Sequence, residues 1–151
     1  MHMTSSQVGI ILSVNIFLIA LLQRACAGIA DRADPRGLMV LGTLVSGAAV
    51  MAIPYADGFT TLLLLNIVMG AGNGIAMPAG FVLTGKVGRQ MGMGSIMGLT
   101  DAGWSMGMIV SPIISGIIMD SLGLPSIFYI GGVLIAIGSV IIYGFLRDIE
   151  I

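Results

Sequence analysis

Hydrophobic positions in this chain run continuously instead of alternating with polar ones. Residues 1–23, 37–56, 58–85, 102–119 and 121–146 contain no Asp, Glu, Lys or Arg. Each stretch is near or above the roughly 18–20 apolar residues that cross a bilayer as a helix. Hydrocarbon cannot satisfy backbone N–H and C=O groups, so only helices and closed barrels span it. A barrel strand alternates apolar-out with polar-in. Leu62-Leu63-Leu64-Leu65 and Val133-Leu134-Ile135-Ala136-Ile137 do not alternate. The pattern predicts an all-α, polytopic membrane bundle in one transmembrane domain over 1–151. Its five spans fall at about 8–30, 38–55, 59–83, 93–119 and 126–146.

The predicted connectors are short and carry turn residues: Asp34-Pro35-Arg36-Gly37, Ala56-Asp57-Gly58, Gly85 to Gly92, and Asp120 to Pro125. Their charges divide by side. Arg24, Arg32 and Arg36 lie at or after the lower end of the first span, Lys86 and Arg89 after the third, Arg147 after the fifth. The opposite connectors hold Asp57 and Asp120 and no cation. Lys and Arg collect on the cytoplasmic side. The expected topology in the cell membrane is therefore multi-pass, with the N-terminus outside and the C-terminus cytoplasmic. Tyr55, Phe59, Phe128 and Tyr129 fit the outer interface, Tyr143 and Phe145 the inner one, whereas Trp104 lies mid-span.

Composition removes the competing classes. Of 151 residues 57% are hydrophobic and 9% charged, with a mean hydropathy of +1.09. That leaves too little polar surface for a water-soluble domain. A net charge of −1 argues against a nucleic-acid binder. Cys26 is the one cysteine, which excludes a disulfide framework within the chain. The first span, followed by Ala25-Cys26-Ala27, has some likeness to a signal peptide, but Met1–Gln7 lacks the basic n-region such a peptide requires. No cofactor-binding or metal-ligand spacing is present.

A few residues stand out against this background. Asp101 interrupts the fourth span about two turns beyond Met93. A carboxylate at mid-bilayer costs about 2.5–3.5 kcal/mol on insertion scales, so it is expected to face the bundle interior or a water-filled cavity. There it can take up and release a proton and couple transport to it; the plainer reading is hydration or pairing near the end of the span. Ser105, Met108 and Pro112 share its helical face. Gly103, Gly107, Ser111 and Ser115 recur every four residues, a spacing that lets two helix backbones approach closely. Gly94 and Gly98 extend this stripe, Gly70 and Gly74 repeat it on the third span, and Pro112 is expected to bend the fourth. Asn66 and Asn73 lie seven residues apart on one face, as substrate contacts or as interhelical hydrogen bonds. The twelve methionines supply soft apolar filling.

Three segments resemble motifs of the major facilitator superfamily of transporters. Around Asp31-Arg32, the stretch Ala27 to Arg36 is similar to the loop pattern G-x-L-A-D-R-x-G-R-R/K. Ala27 replaces the first Gly, Asp34 the second, and Pro35 one basic residue. Asn66-Ile67-Val68-Met69-Gly70-Ala71-Gly72 resembles R-x-x-x-G-x-G with Asn66 in the place of Arg. Gly107 to Gly116 resembles G-x-x-x-G-P-x-x-G-G, with Ser111 and Ser115 replacing Gly and with Pro112 and Gly116 retained.

The degenerate loop, the missing Arg and the short tail make the chain resemble the C-terminal half of such a transporter, helices eight to twelve, as a truncated fold. An odd number of spans is what remains when a longer even-numbered protein lacks an odd number of leading helices. The resemblance implies alternating access for a small organic solute, with efflux as the direction of the third motif's relatives. It implies that Asp31, Arg32 and Arg36 help hold a cytoplasmic gate. The implied partners are the lipid bilayer, a small-molecule substrate and the missing transporter half, with no cofactor and no nucleic acid. A non-transporting membrane interaction module or inactive transporter fragment is the alternative. An enzyme is not expected, because Asp101 has no second polar group converging on it within the bilayer.

Overall fold

The computed structural model describes residues 3–30 and 33–147. Five helices follow one another: α1 (Ser5–Ala30), α2 (Pro35–Ala52), α3 (Phe59–Met91), α4 (Met93–Leu122) and α5 (Leu124–Arg147). A 3-10 turn over Ile53–Tyr55 extends α2. All five are long and apolar enough to cross a membrane.

Local sequence sets most helix ends. Thr4 and Gln7 form a reciprocal capping box: Gln7 Oε1 accepts from the Thr4 N–H at 3.0 Å, and Thr4 Oγ1 accepts from the Gln7 N–H at 3.3 Å. Asp34 caps α2 by accepting from the Arg36 N–H at 3.1 Å, and Pro35 follows in the first helical position, where its missing N–H leaves nothing unpaired. Two of the departures from the loop pattern, Asp34 and Pro35, thus together start a helix. Arg36 and Gly37, expected in the connector, lie inside α2.

The other two long connectors contract to single glycines. Gly92 has φ +97° and Gly123 φ +83°, the two positive values among the described residues. An L side chain rarely adopts such a backbone, so glycine makes the turn possible. Helix α3 continues through Gly85, Lys86 and Arg89 to Met91, eight residues past the expected end, and α4 continues through Asp120 to Leu122. Hydropathy marks where lipid ends; a helix satisfies its own backbone on either side of that boundary.

The helices pack in the order α1, α3, α2, α5. Helices α1 and α3 run parallel, since Asn15 meets the Asn66–Gly70 turn and Leu22 meets Gly74. Helix α2 is antiparallel to both α3 and α5: Gly42 lies against Ala76, Ser46 against Met69, and Gly47 against Gly132. Contacts are close because the residues are small. A Cβ at Gly42 would lie 2.5 Å from the Gly72 carbonyl oxygen, and one at Gly132 would lie 3.1 Å from the Gly47 oxygen. Buried side chains are correspondingly modest: Ile11, Ala49, Ala76, Ala79 and Leu83, with Asn15, Ser46, Asn66 and Ser139 among them. Without a strong hydrophobic drive between helices in lipid, such backbone approach and hydrogen bonding provide the cohesion.

These directions put Arg24, Arg36, Lys86 and Arg89 at one end of the bundle and Asp57 and Asp120 at the other. At the acidic end the Tyr55 and Tyr129 rings meet edge-to-face, with centroids 6.1 Å apart. Helix α4 touches α3 and α5 but has no buried residue along its 30-residue length.

Candidate functional site

The sequence candidates separate into packing seams and one open face. On α3, Asn66 is buried, and its Nδ2 donates to the Leu62 carbonyl of its own helix at 3.0 Å. Its backbone oxygen accepts from Asn15 Nδ2 at 2.7 Å, which ties α1 to α3. Asn73 Oδ1 accepts from Ser46 Oγ at 3.0 Å, and the same hydroxyl lies 3.1 Å from the Met69 oxygen. Asn66 and Asn73 therefore sit at two different seams, α1–α3 and α2–α3, and neither is brought to Asp101. Asn15 and Ser46 matter as much to these seams as the two asparagines. The signal that finds Ser46 is its position four residues after Gly42, facing the Gly72–Ala76 pair of the same spacing.

Helix α4 carries the open face. Thr100, Gly103, Trp104, Gly107, Met108, Ser111 and Pro112 form a shallow, open groove along this one helix. Gly103 and Gly107 form its floor because they have no side chain, and nothing lies within 4 Å of a Cβ placed at either. Gly94, Gly98 and Gly116 are equally open. The small-residue stripe expected to pack helices is thus not covered by any described part of this chain; Gly70 and Gly74, by contrast, do receive α1. Ser111 is exposed, and Ser115 and Gly116 are half-buried. Pro112 has no N–H for the Met108 carbonyl one turn back.

Asp101 is exposed beside this groove, one helical turn from Trp104 and in line with Met108 and Pro112. It does not face a bundle interior formed by the described residues. Thr100 Oγ1 bonds back to the Ile96 oxygen at 2.8 Å, leaving the carboxylate as the main polar group of the face.

A second, smaller recess of about 220 Å³ lies between α2 and α5. Its hydroxyls are turned onto their own helices, Thr43 to Met39 and Val40, Ser139 to Ile135. It has no polar group left for chemistry. Of the gate residues, Asp31 and Arg32 lie outside the described residues. Arg36 is half-buried at the cationic end, in the first turn of α2.

Taken together, the described residues form a bundle of helices long and apolar enough to span a membrane, in which α4 has no buried residue and carries the exposed Asp101. A family model, the Major Facilitator Superfamily, matches residues 1–150. The chain belongs to that superfamily. Among its relatives are a probable sulfoacetate transporter, SauU of Cupriavidus necator, 25% identical over 148 residues, and a niacin transporter, NiaP of Acinetobacter baylyi, 26% identical over 130. The multidrug resistance protein MdtG of Serratia proteamaculans is 26% identical over 128 residues. These alignments cover 96%, 86% and 84% of this chain but 34%, 30% and 31% of the relatives. The chain spans about a third of their length.

Proposed function

We propose that this chain forms one wall of a secondary active transporter that moves a small organic solute by alternating access. The observation that carries the reading is α4: its groove, its small-residue stripe and Asp101 are all uncovered in a chain whose other helices are closely packed. In the complete transporter the remaining helices close over this face along Gly103, Gly107, Ser111, Ser115 and Gly116, with Pro112 shaping the curve. Asp101 then lies in the solute path and carries the coupling proton. The substitutions at Asn66 and in the loop support assignment to the C-terminal half, and the names of the relatives support small organic solutes, with efflux as in multidrug resistance proteins.

The cationic end of the bundle faces the cytoplasm in this reading, because Lys and Arg are retained there. In this reading Arg36 lies at that end, and Asp31, Arg32 and Arg36 brace the cytoplasmic gate. Reconstituted alone, the chain is expected to show no solute or proton flux above empty liposomes, because half of the path is missing. Flux from the isolated chain would overturn the proposal. In the complete assembly, Asp101→Asn is expected to abolish the dependence of transport on the pH gradient. The uncovered stripe also suits a non-transporting interaction module, and under that reading Asp101→Asn leaves the assembly unchanged.

A further inference from the structure

We propose that the recess between α2 and α5 holds an acyl chain of an anionic phospholipid whose headgroup is bound at Arg36. Such a site is independent of α4 and of whether the chain takes part in transport.

Small residues set the shape of the recess. Nearer the acidic end α2 and α5 touch: a Cβ at Gly132 would lie 3.1 Å from the Gly47 oxygen, and one at Gly47 would lie 3.0 Å from the Ile135 side chain. The Tyr55 and Tyr129 rings meet beyond that contact. Gly138 lies farther along α5 toward the cationic end, and a Cβ there would meet nothing within 4 Å. What remains is a furrow with Met39, Val40 and Thr43 on one wall and residues between Ile135 and Ile142 on the other.

The walls decide what fills it. The Thr43 hydroxyl bonds to the Met39 and Val40 carbonyls, and the Ser139 hydroxyl donates to the Ile135 oxygen at 2.8 Å. Water needs two to four polar partners to stay in such a space, and these side chains have none to spare. Ile142, 40% exposed, leaves the recess open at its rim. In a bilayer the medium outside that rim is hydrocarbon. An unfilled gap forfeits dispersion contacts all along its lining, and a flexible acyl chain restores them.

Charge selects the headgroup. Arg36, Val40 and Thr43 follow one another along one line of α2, so Arg36 stands one turn beyond the apolar wall, at the cationic end. Arg24, Lys86 and Arg89 share that end. The acid beside Arg36, Asp34, turns a carboxylate oxygen onto the Arg36 N–H. A guanidinium binds phosphate oxygens through paired N–H groups, and basic pockets between transmembrane helices bind anionic headgroups. A furrow for the chain and a cation for the phosphate thus lie a helical turn apart, a distance that one lipid molecule spans.

The test places the full chain in phosphatidylcholine nanodiscs doped with phosphatidylglycerol that carries a photoactivatable diazirine midway along one acyl chain. Adducts are located by peptide mass spectrometry. They are expected on residues 39–43 and 135–142 in preference to Leu12, Ile16 and Phe17 of α1, which are more exposed. The same diazirine on phosphatidylcholine is expected to label the recess less. In Arg36→Gln the phosphatidylglycerol fraction that gives half-maximal recess labelling is expected to rise about fivefold, the equivalent of about 1 kcal/mol for one basic residue at an anionic surface. Arg36→Lys and Arg89→Gln are expected to leave it unchanged. Gly138→Leu fills the recess, meets nothing at its Cβ, and is expected to remove the recess adducts while those on α1 persist. Helical circular dichroism should match the wild type in each variant. Even labelling of α1 and the recess, equal labelling of the recess by the two lipids, or an equal effect of Arg89→Gln overturns the site, and each leaves the transport reading standing. In the complete assembly the recess adducts are expected to persist. Their loss there would place a helix of the assembly in the recess and would overturn the site as well.

Discussion

A methyl group added at Gly42 would lie 2.5 Å from the Gly72 carbonyl oxygen and 2.8 Å from the Ala76 nitrogen. Both are backbone atoms of α3 and cannot turn aside, so the helices must separate. Gly42→Ala is expected to destabilise the bundle by about 1–3 kcal/mol, the usual range for overpacking. Gly103→Ala meets nothing within 4 Å and is expected to leave stability unchanged. Unfolding in mixed micelles monitored by circular dichroism compares the two. Ser46→Ala removes a hydroxyl shared between Asn73 Oδ1 and the Met69 oxygen, and about 0.6 kcal/mol is expected by the same measurement. Sequence alone does not separate these glycines. Both sit four residues from another small residue, and only the position of a neighbouring backbone tells which spacing is used. Asn66 shows the same limit: its chemistry was readable, but its amide is spent on Leu62 within its own helix.

At the scale of elements, the hydropathy reading passed over the capping chemistry that sets the helix starts, and placed Asp34 to Gly37 in a connector. Thr4-Ser5-Ser6-Gln7 and Asp34-Pro35 are local signals, because a cap needs only residues two or three positions away. Asp34→Ala is expected to remove about 1 kcal/mol from the start of α2, seen as faster hydrogen exchange of the amides in its first turn. The Gly85–Gly92 segment was harder to read. Its glycines and charges suggest a loop, yet Gly85 and Gly88 are helical and the turn is concentrated at Gly92. Helix propensity is weak beside the backbone hydrogen bonding that a continuing helix secures. Gly92 has φ +97°, so Gly92→Ala is strained, whereas Gly94→Ala is unstrained and enters open space.

At the scale of the whole molecule the test is topology. Helix directions put Lys86 and Asp57 at opposite ends of the bundle. Impermeant amine labelling of Lys86 and thiol labelling of Asp57→Cys in a Cys26→Ser background are expected to come from opposite compartments, Lys86 from the cytoplasm. Labelling of both from one side would contradict the threading. Helix α4 also carries a carboxylate about two turns from its start with no cover among the described residues, the observation on which the proposed larger assembly rests.

Residue order by itself determined the class of molecule, the number of spans and the segregation of charge, because each follows from whether a stretch of side chains is stable in hydrocarbon or in water. It also pointed to the superfamily through short motifs. Tertiary structure decided which small residues touch, which polar groups are spent on cohesion, and that α4 is the helix left uncovered. Those outcomes depend on which helix backbone lies opposite which, a relation between segments far apart in the chain that no local spacing encodes.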